Sequence, residues 1–474
     1  FYSLLIKPDP NNSMDPGAFV CDLCTEMPEP TDGGKKFTFK LKSGVTFHDG
    51  SPLTAQDVKA TFDRIIFPPE GVSSARKAYF VMVDSVEAPD DLTVVFNLKY
   101  PSGAFIPALA TPYNFVYQKA KLDKDMKWYE KNILGSGPFV FVEHQAGAVI
   151  KGKRNENFYV EGQPYLDGFE AIIAEKQSLR VQAIRGDRAA AEFRGMPPKS
   201  RDDLKAALGD KITVQESDWN CVLIITPNHD VPPFDNVKAR RALTLAVDRW
   251  GGSKYLSQIA IVKTVGGVVF PGHKLAATKA ELEQIAGYWP DLEKSRAESK
   301  KLLQEAGVDL SKTYVLNNRG VDQPYTIVGT WLIDQWKQVG LNFEQRVQPT
   351  GPFYETLRSK RDFSVSMDFN CQSVVNPLLD VSKFISNDLS DSQYGGYIDR
   401  EVDDLFIKMN QEGDVAKQRE YMRTFEKLTL DEHANSFITL WWYRIVPHRS
   451  YMKGWNISPS HYVNQDLAQV WIDK

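Results

Sequence analysis

The sequence predicts an α/β chain folded into more than one lobe, and three observations carry that reading. A length of 474 residues corresponds to about three domain-sized units. Strand-like and helix-like patterns alternate irregularly from end to end, without internal repeats or low-complexity tracts. One short block, FTFKLKSGVTFHDGSPLTAQDV over residues 37–58, holds an alternating strand, a tight turn and a helix start in succession. A hydrophobic share of 42%, with 12% aromatics, is ample for large packed cores.

Within that block, Phe37, Phe39 and Leu41 alternate with Thr38, Lys40 and Lys42, the period of a half-buried strand. Val45 and Phe47 resume the alternation after Gly44, His48-Asp49-Gly50 supplies a turn, and Thr54 caps a helix predicted over 55–65. Further on, AESKKLLQEA predicts a helix over 297–306, with Leu302, Leu303 and Ala306 on one side and Gly307 as a left-handed cap. Residues 331–339 predict another helix, with Leu332, Trp336 and Val339 on one face. It stops at Gly340, before Leu341-Asn342-Phe343 starts a strand.

Composition and motifs exclude several functions. Lys plus Arg number 57 against 61 Asp plus Glu, a net charge of −4 with no basic block, so nucleic acid is not an expected partner. The longest uncharged run, Tyr100 to Gln118, is broken by Pro101, Pro107 and Pro112 and predicts no spanning helix. Gly135-Ser136-Gly137 is not followed by G-x-x-x-x-G-K-[ST], and Pro138 removes a backbone donor that a phosphate-cradling loop uses. The His residues at 48, 144, 229, 273, 433, 448 and 461 lack zinc-enzyme spacing, so no metal and no cofactor are expected. There is no G-x-S-x-G elbow and no Cys in a nucleophile context, and no enzyme is predicted. Cys21 and Cys24 form a lone C-x-x-C, read as a local disulfide or two buried thiols rather than a redox or metal site.

The 37–58 block also resembles the signature of the bacterial family 5 extracellular solute-binding proteins, the peptide- and nickel-binding receptors of ABC importers. Four further motifs share the resemblance in the same order. They are Gly135-Ser136-Gly137-Pro138-Phe139; Arg154-Asn155 with Tyr165-Leu166-Asp167; Pro233-Phe234-Asp235-Asn236-Val237 continuing through Arg240-Arg241-Ala242-Leu243 to Ala246-Val247-Asp248-Arg249; and Leu302-Leu303-Gln304-Glu305-Ala306-Gly307. The resemblance implies a two-lobed fold like that of the periplasmic binding proteins (type II, cluster C), with mixed sheets flanked by helices. The first lobe would comprise residues 1–221 plus 438–474, with an extra subdomain over about 17–133, and the second lobe residues 222–437. Two crossings between lobes imply a hinge and a cleft that closes. Phe1-Tyr2-Ser3-Leu4-Leu5 resembles a segment lying some way into the mature family chain, so a leader and an opening strand are expected to precede it.

By the same resemblance, Cys221 and Cys371 occupy the positions of a cross-linked pair and are expected to form a disulfide, in keeping with an oxidising periplasm. The implied function is the periplasmic or lipid-anchored, monomeric substrate-binding component of an ABC importer. It would capture a small-molecule solute or short peptide and deliver it to a permease and ATPase complex. Peptide-binding relatives carry an Asp two residues beyond the Cys371 position to pair the peptide ammonium; here it is Ser373. Arg76 and Arg194 stand at two other aligned pocket positions, and arginine forks suit carboxylate or phosphate. The expected cargo is thus a small polar solute with an anionic group. The alternatives are a peptide receptor in which Asp368 or another acid meets the amine, or an unrecognised periplasmic hydrolase. In Leu440-Trp441-Trp442-Tyr443-Arg444, strand alternation sends Trp441 and Tyr443 to the face opposite Trp442. Trp442, Tyr443, Trp219, Phe369, Asn370 and Gln372 complete the candidate ligand contacts.

Overall fold

The computed structural model describes residues 1–12, 15, 17–372, 374–460 and 466–474. Near the start, β1 (Ile6–Pro8) pairs with β2 (Phe19–Cys21). A three-stranded antiparallel sheet follows from β3 (Lys36–Lys40), β4 (Val83–Asp90) and β5 (Thr93–Leu98), with β5 central. The alternation read from the sequence is realised in β3: Phe37 and Phe39 are buried while Lys36, Thr38 and Lys40 face water. Phe39 and Phe96 meet edge to face on the covered side, where Phe62 of the helix Ala55–Ile66 packs on Phe96. That helix starts where Thr54 foretold, its first turn closed by the Asp57 carboxylate accepting from the Thr54 N–H at 2.8 Å. Val45 and Phe47 are buried as expected, yet this stretch forms only an isolated bridge from Thr46 to Pro52. The chain turns back there before a ladder can form.

A second antiparallel sheet comprises β6 (Phe139–Gln145), β7 (Val149–Arg154) and β8 (Gly168–Ile172). The third sheet organises the molecule. Its strands are β9 (Ile212–Pro227), β10 (Val262–Thr264), β11 (Thr313–Arg319), β12 (Asn342–Gln348), β13 (Val365–Cys371) and β14 (Phe437–Arg449). They lie in the order β10-β14-β9-β13-β11-β12, with β11 parallel to β12 and β13 and the other pairings antiparallel. At 16 and 13 residues, β9 and β14 are longer than most strands and run side by side from Ile212 and Arg449 to Ile225 and Phe437. The lobe boundaries inferred from the sequence fall inside β9 and at the start of β14. At the chain's end, β15 (Met452–Lys453) pairs with β16 (Trp471–Ile472).

Helices cover the third sheet, and two of them extend beyond their sequence patterns. The helix predicted over 297–306 begins at Leu292, because Asp291 accepts from the Lys294 N–H and caps an additional turn. The helix predicted over 331–339 spans Ile327–Lys337, and Gly340, at a φ of 94°, turns the chain toward β12. Its Trp336 is fully buried against Phe343 and donates to the Leu243 carbonyl at 3.1 Å. Truncating a side chain buried in this way costs about 3 to 5 kcal/mol.

Both disulfides are formed. Cys21 bonds to Cys24, and Cys221 to Cys371, tying β9 to β13 where the two residues are register partners. The Gly135/Gly137 pair has a packing role. A Cβ at Gly135 would stand 2.1 Å from the Phe1 carbonyl oxygen, and the Gly137 N–H donates to that same oxygen at 2.9 Å. Glycine here admits a neighbouring backbone, which any side chain would block. Among the described residues, no helix is long and apolar enough to cross a membrane, and no group of three His, Cys, Asp or Glu is placed to hold a metal ion.

Candidate functional site

Segments that precede β9 meet segments between β9 and β14 along two seams. At one, Asp391 accepts from the Ser73 hydroxyl at 3.0 Å and the Ser74 N–H at 2.8 Å, while the Ser392 hydroxyl donates to the Ala75 carbonyl. At the other, Arg194 Nη1 reaches the Gln323 carbonyl at 3.4 Å, and Gln323 Nε2 donates to Gln177 Oε1 at 3.2 Å. A band of guanidinium groups and tyrosines links the two seams.

The band is built on β11 and β13. Arg319 is the last residue of β11, and Asp368 and Phe369 lie in the middle of β13, the strand parallel to it. Carboxyl ends of parallel strands are where open α/β sheets commonly bind ligands. Arg319 donates to the Tyr325 hydroxyl and to Thr350 Oγ1, each at 3.2 Å. Its guanidinium carbon lies 5.2 Å from the Tyr325 ring, 5.8 Å from Tyr354 and 5.5 Å from Phe369. Its Nε is buried with no hydrogen-bond partner among the described residues. Burial holds the ionisation of Arg194 down, Tyr325 and Glu192 act against that, and Arg319 adds to it. Among the described residues, no carboxylate lies within ion-pair distance of either arginine.

At the other end of the band, Asp368 is already engaged. Lys383 Nζ lies 3.3 Å from Oδ2, and the Tyr354 hydroxyl donates to Oδ1 at 3.1 Å. Burial lowers the Lys383 ammonium even with Asp368 beside it. Arg358 lies 5.2 Å from the Tyr354 ring and reaches the Tyr394 hydroxyl at 3.4 Å. Arg76 stacks on Tyr113 at 3.6 Å and is close enough to Lys383 and Tyr394 to act on their ionisation. Burial pushes the Tyr325 and Tyr394 hydroxyls up to about 12, and that of Tyr354 higher still with Asp368 adding to it. These phenols stay neutral at ordinary pH and present O–H donors. The arrangement is chemically suited to holding anions.

The structure brings Arg76, Arg194 and Phe369 of the sequence candidates into this band. Asn370 and Gln372 stand behind it: Asn370 donates to the Asp380 carbonyl, while Gln372 accepts from the Tyr79 hydroxyl at 2.8 Å and donates to Asn370. Trp442 packs edge to face on Trp219 at 5.1 Å and on Tyr325 at 6.0 Å, and Trp219 also lies under Arg444. Tyr443 is directed elsewhere, bonded to Glu216 at 3.0 Å beneath Lys263. Trp441 lies against Phe270 and donates to the Gly267 carbonyl at 3.0 Å, the β9–β14 register shifts between Trp441 and Trp442, and both indoles are buried. Ser373 lies outside the described residues. Asp380 is fully buried, and burial raises its carboxyl well above the usual range.

Sequence reasoning missed Arg319, Tyr325, Tyr354, Arg358, Lys383 and Tyr394. The available signal was an arginine at a strand end immediately before Gly320. The others come from separate loops and helices that only the fold brings together.

Comparison with solved structures places this fold among the two-lobed periplasmic binding proteins of the peptide-binding cluster. AgaA from "A.tumefacien R10", in complex with agropinic acid, superposes with a TM-score of 0.85 at 20% identity, covering 100% of this chain and 93% of that one. OppA of Haemophilus influenzae, in complex with the peptide RPPGFSPFR, gives 0.86 at 18% identity over the same shares. A family model, bacterial extracellular solute-binding proteins family 5 (middle), matches residues 18–393, and the chain belongs to that family. The glutathione-binding protein GsiB of Pectobacterium atrosepticum is 30% identical over 282 residues, which is 58% of this chain and 50% of the relative. The dipeptide-binding protein of Escherichia coli K12 is 26% identical over 367 residues, 72% of this chain and 65% of that one. The matched stretch thus spans about half the length of the first of these relatives and under two thirds of the second.

Proposed function

We propose that the protein is the extracytoplasmic substrate-binding component of an ABC importer, capturing an anionic solute between its lobes and presenting the closed form to a permease. Residues 1–221 with 438–474 form one lobe and 222–437 the other, working as a monomer in the periplasm or on a lipid anchor. The observation that supports this reading is the gathering of Arg194, at the Gln323 carbonyl, and Arg319, at the Tyr325 hydroxyl, in one band where neither has a carboxylate within ion-pair distance among the described residues. An anion bound among these arginines adds charge-assisted hydrogen bonds that favour the closed form. Ligand then shifts the open and closed populations by its differential affinity for the closed form.

The peptide-receptor alternative needs a carboxylate for the peptide ammonium. Asp368, the acid proposed for that role, is engaged by Lys383 and Tyr354. An anionic peptide remains compatible with the arginines, and the glutathione-binding relative favours including glutathione among the probes. A thermal-shift panel of glutathione, dicarboxylates, sugar acids, phosphorylated solutes and neutral dipeptides tests the proposal. A ligand at about 100 times its Kd adds about 2.7 kcal/mol of stability. Anionic probes raise Tm in the wild type, and Arg319→Met and Arg194→Met each weaken binding by about 1.5 to 3 kcal/mol. Stabilisation by neutral dipeptides alone contradicts the assignment, and turnover of any probe to product would favour the hydrolase.

A further inference from the structure

The cationic band extends well beyond the Arg194–Arg319 pair, and its length bears on what the solute carries. We infer that the ligand bears two anionic groups, one held by Arg194 and Arg319, the other by Arg358 beside Lys383. This rests on the anionic-solute reading above and narrows it to a class. Arg319 and Arg358 both flank the Tyr354 ring, at 5.8 and 5.2 Å, so their guanidinium carbons lie within about 11 Å of one another. The carboxylate between them, Asp368, is already used by Lys383 and the Tyr354 hydroxyl, and Arg358 has no acid within ion-pair distance among the described residues. Arg194, Arg319, Arg358 and Lys383 outnumber the carboxylates that act on them, Asp368 and Glu192. A dianion compensates more of that excess than a single carboxylate does.

The geometry also limits size. Two carboxylates bound to arginines within about 11 Å belong to a compact molecule, and the tyrosine hydroxyls between them suit a polar linker. A short dicarboxylic acid, a carboxylated amino-acid conjugate or an acidic di- or tripeptide meets these conditions. A long neutral peptide does not.

Calorimetric titration with paired probes tests the inference. Glutathione and the straight-chain diacids from succinate to suberate are each compared with the half-ester or half-amide lacking one negative charge. The wild type is expected to bind at least one diacid about tenfold more tightly than its partner, the equivalent of one charge-assisted contact. Arg358→Gln, a change at an exposed position, brings that diacid down to the level of its half-ester, and Arg358→Lys restores part of the preference. Equal binding of diacid and half-ester, with both still weakened by Arg319→Gln, overturns the second anionic subsite and leaves the anionic-solute reading standing. A diacid preference untouched by Arg358→Gln overturns the assignment of that subsite. If no anionic probe binds while neutral dipeptides do, both readings fail.

Discussion

Arg319 illustrates how a residue acquires a role from its surroundings. In the sequence it is one of many basic residues. In the fold it ends β11, places its guanidinium against three aromatic rings and has no carboxylate within ion-pair distance among the described residues. Arginine serves here because its planar fork stacks on tyrosine while its edge still donates. His229 is a residue with a consequence for pH rather than for ligand. Burial, with Arg240 nearby, drives its imidazole down to about 3 from the ordinary 6.5, and its Nε2 bonds to the Asn435 carbonyl at 2.9 Å. Between those values the unfolded chain binds more protons than the folded one, so stability rises with pH across this window. The contribution is complete above about pH 6.5 and is lost progressively as pH falls toward about 3. His229→Gln is expected to flatten the fall of Tm between about pH 6.5 and 4, measured by scanning calorimetry. An unchanged slope would show that this histidine is not a source of acid lability.

Among the elements, β9 and β14 give the two halves of the chain a shared backbone. Their long antiparallel ladder continues through the positions where the chain is proposed to cross between lobes, so bending there is borne by one pair of strands. The Cys221–Cys371 bond anchors this ladder to β13, closing a sequence separation of 150 residues. Replacing both with alanine is expected to lower stability by about 2 to 5 kcal/mol in guanidinium unfolding, the upper end following from chain entropy. A loss below about 1 kcal/mol would place the value of the bond elsewhere than in restricting the unfolded chain. Much at this scale was legible beforehand. The β3 alternation, the Thr54 cap and the Gly340 stop are local choices written in neighbouring residues, and they hold. The early start of the helix Leu292–Glu305 was missed because its first turn is polar and carries no apolar period to detect.

For the whole molecule, the seam at Asp391 joins a segment that precedes β9 to one that lies between β9 and β14. Ser73 and Ser74 bond to Asp391 three and two residues before Arg76, so docking of this loop carries that arginine into the band. Asp391→Ala is expected to keep the fold and to speed dissociation of an anionic solute, read by stopped-flow tryptophan fluorescence, with binding weakened by about 0.5 to 1.5 kcal/mol for each bond lost. Solute addition should also reduce the radius of gyration in small-angle scattering, and less so in this variant. Dissociation rates equal to wild type would mean the seam contributes nothing to the closed state. The sequence by itself determined the family and the α/β class, because those are written as local patterns and ordered motifs, and the family resemblance carried the pairing of Cys221 with Cys371. The tertiary structure alone decided which charges face one another. Arg194, Arg319, Tyr354, Arg358 and Lys383 are distant along the chain, and whether they compensate or repel depends on distances that only the folded strand ends fix.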